Sequence, residues 1–224
     1  MILTINQSAY LPWLGYFDKI IRSDLFVLLD SVQYGKNSFI NRNRIKTMNG
    51  PIWLTVPVRL KGHTSQILKD TEIDNRRNWQ AKHLKSIFYN YRKANRFGQL
   101  YPKLEILYKN KYSLLSDLCY DHLKFWLNEL NIRTKTVCSS DLSLKSKKSD
   151  LMLEICKHFG ANCYLSGPFG KDYLNEKEFQ KAGIDIEYQS YQHPVYPQLY
   201  GDFIPNMGVV DFCMNTTQLS IKIT

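Results

Sequence analysis

The sequence predicts an α/β fold, a mostly parallel, Rossmann-like sheet with helices on both faces and a helical insertion in the middle. Two observations support this class. Short apolar runs alternate with segments of helical periodicity near both ends of the chain, as in a parallel sheet that is covered on both faces. Between about residues 76 and 130 the apolar spacing is helical. A chain of 224 residues is long enough to bury a full core.

The first part of the chain predicts a βαβ unit followed by extended segments. Strands are expected at Ile2 to Ile5 and at Leu25 to Leu29, because both are continuous apolar runs. A helix from Leu14 to Ile21 should connect them. Alternating apolar residues predict extended chain from Ile52 to Val58, and a further extended segment is expected from Ile67 to Ile73.

The first helix of the insertion is predicted from Trp79 to Tyr91, where apolar residues recur at helical spacing. Two more helices are expected at about 99–108 and 113–130. The alternation then resumes, with strands predicted at 134–138, 163–165 and 184–188 and helices at 149–159 and 172–182. The polar stretch at 139–150 is the best candidate for a sub-domain break. Because the elements on either side of it can share one sheet, residues 1–224 are predicted to form a single domain.

Composition limits the partners and the compartment. The net charge of +10 favours an anionic partner, which could be nucleic acid, a membrane surface or a phosphorylated small molecule, although solubility alone would also explain it. The five cysteines lack the paired short spacing of a zinc site, so they are expected to be reduced and no metal is expected. No apolar run reaches the roughly 18 residues that span a bilayer, and no secretory signal is visible. A cytoplasmic protein without membrane insertion is expected.

Three polar or aromatic segments follow predicted strands, where ligands of open α/β sheets bind. The loop NQSAYLPWLGY is unusually aromatic, and we expect Tyr10 and Trp13 to be partly exposed on a pocket wall. Residues 30–46 mix basic side chains with amides, as a phosphate-binding surface or a solvated basic loop would. YLSGPFGKDYL offers two glycines and a lysine beside a helix start, although a plain strand-to-helix turn explains it equally well.

Candidate site residues come from these segments and from a tyrosine-rich loop at 188–196 that should close the pocket. We expect Arg42, Arg44 and Lys171 to converge on one anion site. Substrate binding is predicted for Gln7, Tyr10, Trp13, Gln33, Lys36, Asn41, Arg42, Asn43, Arg44, Ser166, Gly167, Gly170, Lys171, Tyr188 and Tyr196.

Asp30, His83 and His193 are the predicted catalytic residues. The basic neighbours of His83 (Arg77, Lys82 and Lys85) should lower its pKa and keep the imidazole ready to accept a proton. His193 belongs to the loop at 188–196, whose rings could stack on a sugar or a base. No serine-hydrolase or zinc-protease motif is present in the sequence.

Several of these segments together resemble the WbqC-like protein family of bacteria. They are QSAYLPWLGYFDKI, FVLLDSVQYGKNSFINRNRIK, WQAKHLKSIFYNYRKA, YLSGPFGKDYL and YQHPVYPQ, and the resemblance covers nearly the whole chain. Where many members have a histidine or methionine and a proline in the first motif, this chain has Asn6 and Ser8. A role for a histidine at that first position therefore does not transfer to this chain.

The resemblance implies a function in the synthesis of O-antigen or other surface polysaccharides. It points to a transferase that moves an acyl or aminoacyl (glycyl-like) group to a nucleotide-linked amino sugar. A thioester would be the candidate donor, and a carrier protein that holds it is a second candidate partner beside the nucleotide sugar. In this scheme His83 or His193 is the base, Asn41 and Asn43 are oxyanion donors, and the three cations bind the diphosphate.

Two other functions compete with this one. The first strand, loop and helix loosely resemble those of nucleotidyltransferases, although Tyr16 stands where their loop has its second histidine. The aromatic and basic stretch from Lys85 to Phe97 would suit a nucleic-acid-binding protein, but no nucleic-acid module is visible and the charge is dispersed, so nucleic acid is not the expected partner.

Overall fold

The computed structural model describes residues 1–60 and 66–217. It contains the strands β1 (Ile2–Gln7), β2 (Leu25–Leu29), β3 (Arg42–Thr47), β4 (Gly50–Thr55), β5 (Lys135–Cys138), β6 (Cys163–Ser166) and β7 (Asp185–Tyr188). Its helices are α1 (Leu14–Ile21), α2 (Trp79–Tyr91), α3 (Phe97–Leu107), α4 (Leu115–Glu129), α5 (Lys148–His158), α6 (Glu176–Lys181) and α7 (Val209–Asn215). The predicted α/β class is confirmed.

Five strands form one parallel sheet in the order β5-β2-β1-β6-β7. Counted along the chain within this sheet, the order is 3-2-1-4-5, which is that of a Rossmann-like fold. The strand order therefore reverses between β1 and β6. Ligands of such sheets bind in the crevice outside the carboxyl ends of the strands at this reversal, so the fold itself indicates where a site would lie.

Apolar side chains cover both faces of the sheet. Along β2, Phe26 and Leu28 join a core cluster with α1 and the insertion helices α2 to α4, whereas Leu25, Val27 and Leu29 join a second cluster with α5 and α6. Successive side chains of a strand point to opposite faces, so one fully buried strand contributes to both clusters. This explains why β2 is a continuous apolar run.

Three segments differ from the sequence-based expectation. Arg42–Thr47, which we expected to be a loop, pairs antiparallel with Gly50–Thr55 as the hairpin β3–β4. The extended segment expected from Ile67 to Ile73 contains a 3-10 turn at Leu68–Asp70, in which the Asp70 amide donates to the Ile67 carbonyl and the Thr71 amide to the Leu68 carbonyl. The helix expected at 172–182 begins only at Glu176, after a 3-10 turn at Pro168–Asp172.

No helix among the described residues is both long and apolar enough to cross a membrane.

The helical insertion was predicted closely: α2 has the predicted bounds, and both ends of α3 and of α4 lie within two residues of the predicted ones.

Candidate functional site

Two adjoining cavities lie at the carboxyl edge of the parallel sheet. The larger cavity, of about 1000 Å³, lies beyond the ends of β1 and β2 and reaches the start of α5. The smaller cavity, of about 700 Å³, lies beyond the ends of β1 and β6, where the strand order reverses. The two share six lining residues, namely Ile5, Asn6, Trp13, Phe39, Tyr164 and Tyr173. They are therefore neighbouring parts of one candidate site.

Neutral polar groups line the strand-end side of the larger cavity. Asn6, Gln7 and Ser8 come from the end of β1 and the residue after it, and Ser31 and Gln33 follow β2. The Ser8 hydroxyl is buried, with 1% of the residue exposed, and its oxygen has no hydrogen-bond partner among the described residues. A buried hydroxyl without a partner is costly unless a ligand or water completes it.

A second part of the lining of the larger cavity is basic. Lys145, Lys147 and Lys148 line it together with Ser146, at the start of α5. The Glu154 carboxylate accepts hydrogen bonds from the amides of Lys145 and Ser146, which holds this segment against its own helix. Three lysines beside the positive end of an 11-residue helix make this wall suitable for an anion.

Lys19 is the cation of the smaller cavity, and it comes from the buried face of α1. Its Nζ donates to the Ile5 carbonyl at 3.1 Å and to Asn6 Oδ1 at 2.9 Å. Only 3% of the residue is exposed. Burial lowers the pKa of the amine to about 7.

The aromatic opening loop is placed only partly as expected. Trp13 is half-buried and lines both cavities, and Tyr191 of the loop at 188–196 packs beside it across Gly15. The expected exposure of Tyr10 was wrong, because this ring is fully buried. Its hydroxyl hydrogen-bonds to His83 Nδ1 at 2.8 Å and to the Tyr108 hydroxyl. Tyr10 thus belongs to the core between the sheet and the insertion.

His83 shares that buried position and lines neither cavity. Its pKa is lowered to about 4, as expected in direction, but the cause is burial rather than the basic neighbours that the sequence suggested. The imidazole packs against Tyr10 and Trp79. His193 also lies outside the cavity walls, with Nδ1 next to the carbonyl oxygen of Pro194 at 2.9 Å.

Asp30 is buried, and its carboxylate accepts three hydrogen bonds. Its carboxylate accepts from Ser139 Oγ at 2.9 Å, from the Ser140 amide at 2.8 Å and from Ser140 Oγ at 2.7 Å. These bonds join the end of β2 to the turn after β5. The geometry makes Asp30 a structural tie between neighbouring strand ends.

The cations of the hairpin segment and Lys171 pack on different aromatic rings. Arg42 and Arg44 stack on the exposed ring of Trp53, with their Cζ atoms 4.4 and 5.6 Å from its centroid. Lys171 lies over the ring of Tyr188 at 5.2 Å. None of the three lines either cavity, and their convergence on one anion site stays a prediction.

Of the remaining predicted binding residues, four line a cavity and six do not. Gln7 and Gln33 line the larger cavity, and Gly167 and Gly170 line the smaller one. Asn41 and Asn43 are buried and donate to the carbonyls of Val56 and Leu11. The others lie outside both cavities: Lys36 is exposed, Ser166 is buried, Tyr188 donates to Glu176, and Tyr196 donates to buried Asp211.

Sequence reasoning missed the four lysines that the structure brings to the cavities. Lys19 follows the aromatic loop inside a mostly apolar helix in which Asp18 is the only other charged residue, and a lysine in such a helix is a usable signal. Lys145, Lys147 and Lys148 lie in the polar stretch that we interpreted as a break. That stretch also follows a strand of the sheet, so the same strand-end rule would have included it.

Among the described residues, no group of three or more His, Cys, Asp or Glu side chains is arranged to hold a metal ion. Tyr16, at the position of the second histidine of a nucleotidyltransferase loop, is buried and donates to the Gln7 carbonyl. It supplies no cation for a phosphate.

Comparison with known proteins agrees with the resemblance seen in the motifs. Residues 7–223 match the WbqC-like protein family. The chain is also 34% identical over 215 residues to the uncharacterized protein Rv1507c of Mycobacterium tuberculosis, an alignment that covers 95% of this chain and 93% of that protein. No solved structure matches the chain. The chain belongs to the WbqC-like protein family.

Proposed function

We propose that this protein is a cytoplasmic transferase of bacterial O-antigen or surface-polysaccharide synthesis. It would move an acyl or aminoacyl (glycyl-like) group from a thioester donor to the amine of a nucleotide-linked amino sugar. The observation on which the proposal rests is the larger cavity, whose lining combines neutral polar strand ends with the three lysines of the α5 segment. A diphosphate attached to a sugar has the same division between charged and neutral polar parts.

The cavity has the size and chemistry that such a ligand requires. Its volume of about 1000 Å³ is at the upper end for small-molecule sites, as a nucleotide sugar needs. The diphosphate would lie against Lys145, Lys147 and Lys148, where the charges and the helix start favour an anion. Sugar hydroxyls would bond to the amides of Gln7 and Gln33.

Two aromatic rings and the side-chain amide of Asn6 lie where the two cavities share lining residues. Trp13 and Phe39, whose ring centroids are 5.3 Å apart, provide flat faces for a sugar or a base. The Asn6 side chain accepts from Lys19 with its oxygen, and its Nδ2 has no partner among the described residues. This Nδ2 would donate to the carbonyl oxygen of the acyl group as negative charge develops there. Asn6 would thus replace the buried Asn41 and Asn43 in the donor role.

The first experiment measures binding of nucleotide-linked amino sugars by titration calorimetry. Replacing Lys145, Lys147 and Lys148 together by Gln should weaken binding at least about tenfold, because each charge-assisted phosphate contact is worth roughly 1.5–3 kcal/mol. Lys82, Lys109 and Lys111, replaced together by Gln, form the matched control, because these exposed residues of the insertion line neither cavity. The control should bind as the unchanged protein does.

The second experiment looks for the product. The protein, a nucleotide-linked amino sugar and an acyl or aminoacyl thioester should give an N-acylated sugar that mass spectrometry detects, and the corresponding sugar without an amine should give none. Equal affinity in both triple variants would contradict the assignment of the basic wall. A protein that binds the sugar but never acylates the amine would contradict the proposed reaction.

A further inference from the structure

The amine of Lys19 has surroundings that differ from those of an ordinary buried lysine. Both of its hydrogen-bond partners, the Ile5 carbonyl and Asn6 Oδ1, are neutral oxygens. Among the described residues no carboxylate makes an ion pair with it. A fully charged ammonium at 3% exposure would ordinarily require such a partner.

The nearest acid along the chain is directed elsewhere. Asp18 Oδ2 accepts from Gln189 Nε2 at 2.6 Å and lies 3.8 Å from Arg22, which also pairs with Glu187 of β7. The other titratable groups on the wall of the smaller cavity are the hydroxyls of Tyr164, Tyr173 and Tyr191. The surroundings of Lys19 therefore contain no charge that compensates a proton on its nitrogen, and burial lowers its pKa to about 7.

The position of Lys19 gives its amine access to a ligand. Lys19 lines the smaller cavity, and a Cβ added at Gly167 would come within 4.0 Å of its Nζ. Gly167 has an ordinary extended conformation, so its lack of a side chain leaves space beside the amine and is not required by the backbone. Asn6 hydrogen-bonds to Lys19 and lines both cavities, which brings the amine next to the group assigned to the acyl oxygen.

We propose that Lys19 is the general base of the reaction and that the smaller cavity receives the acceptor amine. This inference rests on the proposed function. The acceptor nitrogen attacks the thioester carbonyl carbon, and the new N–C bond forms as a proton passes from that nitrogen to the neutral Lys19 Nζ. When the C–S bond breaks, sulfur takes the electron pair, and the Lys19 ammonium returns the proton to the thiolate. Lys19 therefore ends in its starting state.

Competitive labelling tests the amine without any substrate. The folded protein is treated with a trace of acetic anhydride at a series of pH values, and acetylation at each lysine is measured by peptide mass spectrometry. Lys19 should gain reactivity with a midpoint near pH 7, and the exposed lysines Lys109 and Lys111 serve as reference sites in the same sample. Gly167→Ala should reduce Lys19 labelling several-fold, because the added methyl covers the nitrogen. Labelling of Lys19 only in unfolded protein would overturn the proposal.

Turnover tests the role. Lys19→Met should lower turnover at least about a hundredfold, the usual contribution of a general base being 10²- to 10⁴-fold, while the affinity for the nucleotide sugar in the larger cavity stays within about threefold. Lys46→Met is the matched control. This equally buried lysine bonds to Gln198 and to the Asp202 carbonyl and lines neither cavity, so turnover per folded molecule should persist.

The two proposals fail in distinguishable ways. If the sugar binds and is acylated but Lys19→Met keeps normal turnover, the role of Lys19 is overturned and the proposed function stands. If no nucleotide sugar binds while Lys19 labels with a midpoint near pH 7, the proposed function is overturned and Lys19 remains the reactive amine of the smaller cavity. If Lys19→Met does not fold, Lys19→Arg, which keeps a cation that cannot accept a proton at neutral pH, takes its place with the same expected loss.

Discussion

His83 is a buried residue whose environment predicts an effect on stability. The imidazole hydrogen-bonds to the Tyr10 hydroxyl and packs against the rings of Tyr10 and Trp79. A histidine that is neutral in the folded protein and free to charge when unfolded makes folding sensitive to acid. Its pKa is lowered from 6.5 to about 4 in the folded protein. Between these two pH values, the unfolded chain binds more protons, so the free energy of unfolding must rise with pH.

We therefore predict that His83→Gln flattens the acid side of the stability profile. In the unchanged protein, the contribution of His83 to the free energy of unfolding should be lost progressively as the pH falls from 6.5 toward 4, with a slope of at most about 1.4 kcal/mol per pH unit. Urea unfolding at several pH values measures this slope. His158→Gln, at an exposed position of α5, is the control for the loss of a histidine as such. Equal slopes in the unchanged protein and in His83→Gln would show that His83 is not held neutral by the fold.

At the scale of elements, the turn between β6 and α6 is held by close packing at Gly170. A Cβ at this position would overlap Ser166 Oγ and come within 3.0 Å of Leu174 Cδ1. Gly170 also accepts from the amides of Tyr173 and Leu174, which closes the 3-10 turn. The conformation of the turn depends on this contact, and it forms one wall of the smaller cavity.

Gly170→Ala should lower the free energy of unfolding by about 1–3 kcal/mol, the usual cost of forcing an extra methyl into a packed site. Gly98→Ala is the matched control. Gly98 lies in the first turn of α3, where an added Cβ meets no atom within 4 Å, so the change should be neutral or stabilising by up to about 1 kcal/mol. Urea unfolding of both variants measures the difference. A Gly170→Ala protein as stable as the unchanged one would mean that the turn repacks freely.

For the whole molecule, the two core clusters on opposite faces of one sheet predict joint unfolding. Cys119 and Cys213 are buried in the cluster with the insertion helices, and Cys156 is buried in the cluster with α5 and α6. β2 contributes side chains to both clusters, so neither face can lose its packing while the sheet remains intact. The prediction of a single domain therefore implies that the two core clusters unfold cooperatively.

Pulse alkylation along a urea series, read by peptide mass spectrometry, tests it. Cys119, Cys156 and Cys213 should become reactive at one common midpoint, because burial raises the pKa of all three thiols and shields them until the core opens. Half-buried Cys138 and Cys163 serve as internal references that react earlier. Reaction of Cys156 at a clearly lower urea concentration than the other two would show that the faces unfold separately.

The sequence by itself determined the class, order and nature of most elements. Apolar runs and helical spacing are local properties, so the strand at Leu25–Leu29 and the helix at Trp79–Tyr91 were predicted with their exact bounds. The strand-end rule also placed the aromatic loop with Trp13 at the ligand-binding edge. The strand at Arg42–Thr47 was missed because it carries charged and polar residues, and pairing with Gly50–Thr55, not its own composition, makes it extended.

Only the tertiary structure decided which polar groups reach the cavities. Asp30 is bound by Ser139 and Ser140, more than a hundred residues away in the chain, and no local pattern reveals such a partner. The same holds for Lys19 and His83, whose pKa values are set by burial and not by their neighbours in sequence. Charge and periodicity can be read from a sequence, but desolvation and pairing depend on segments that meet only when the sheet assembles.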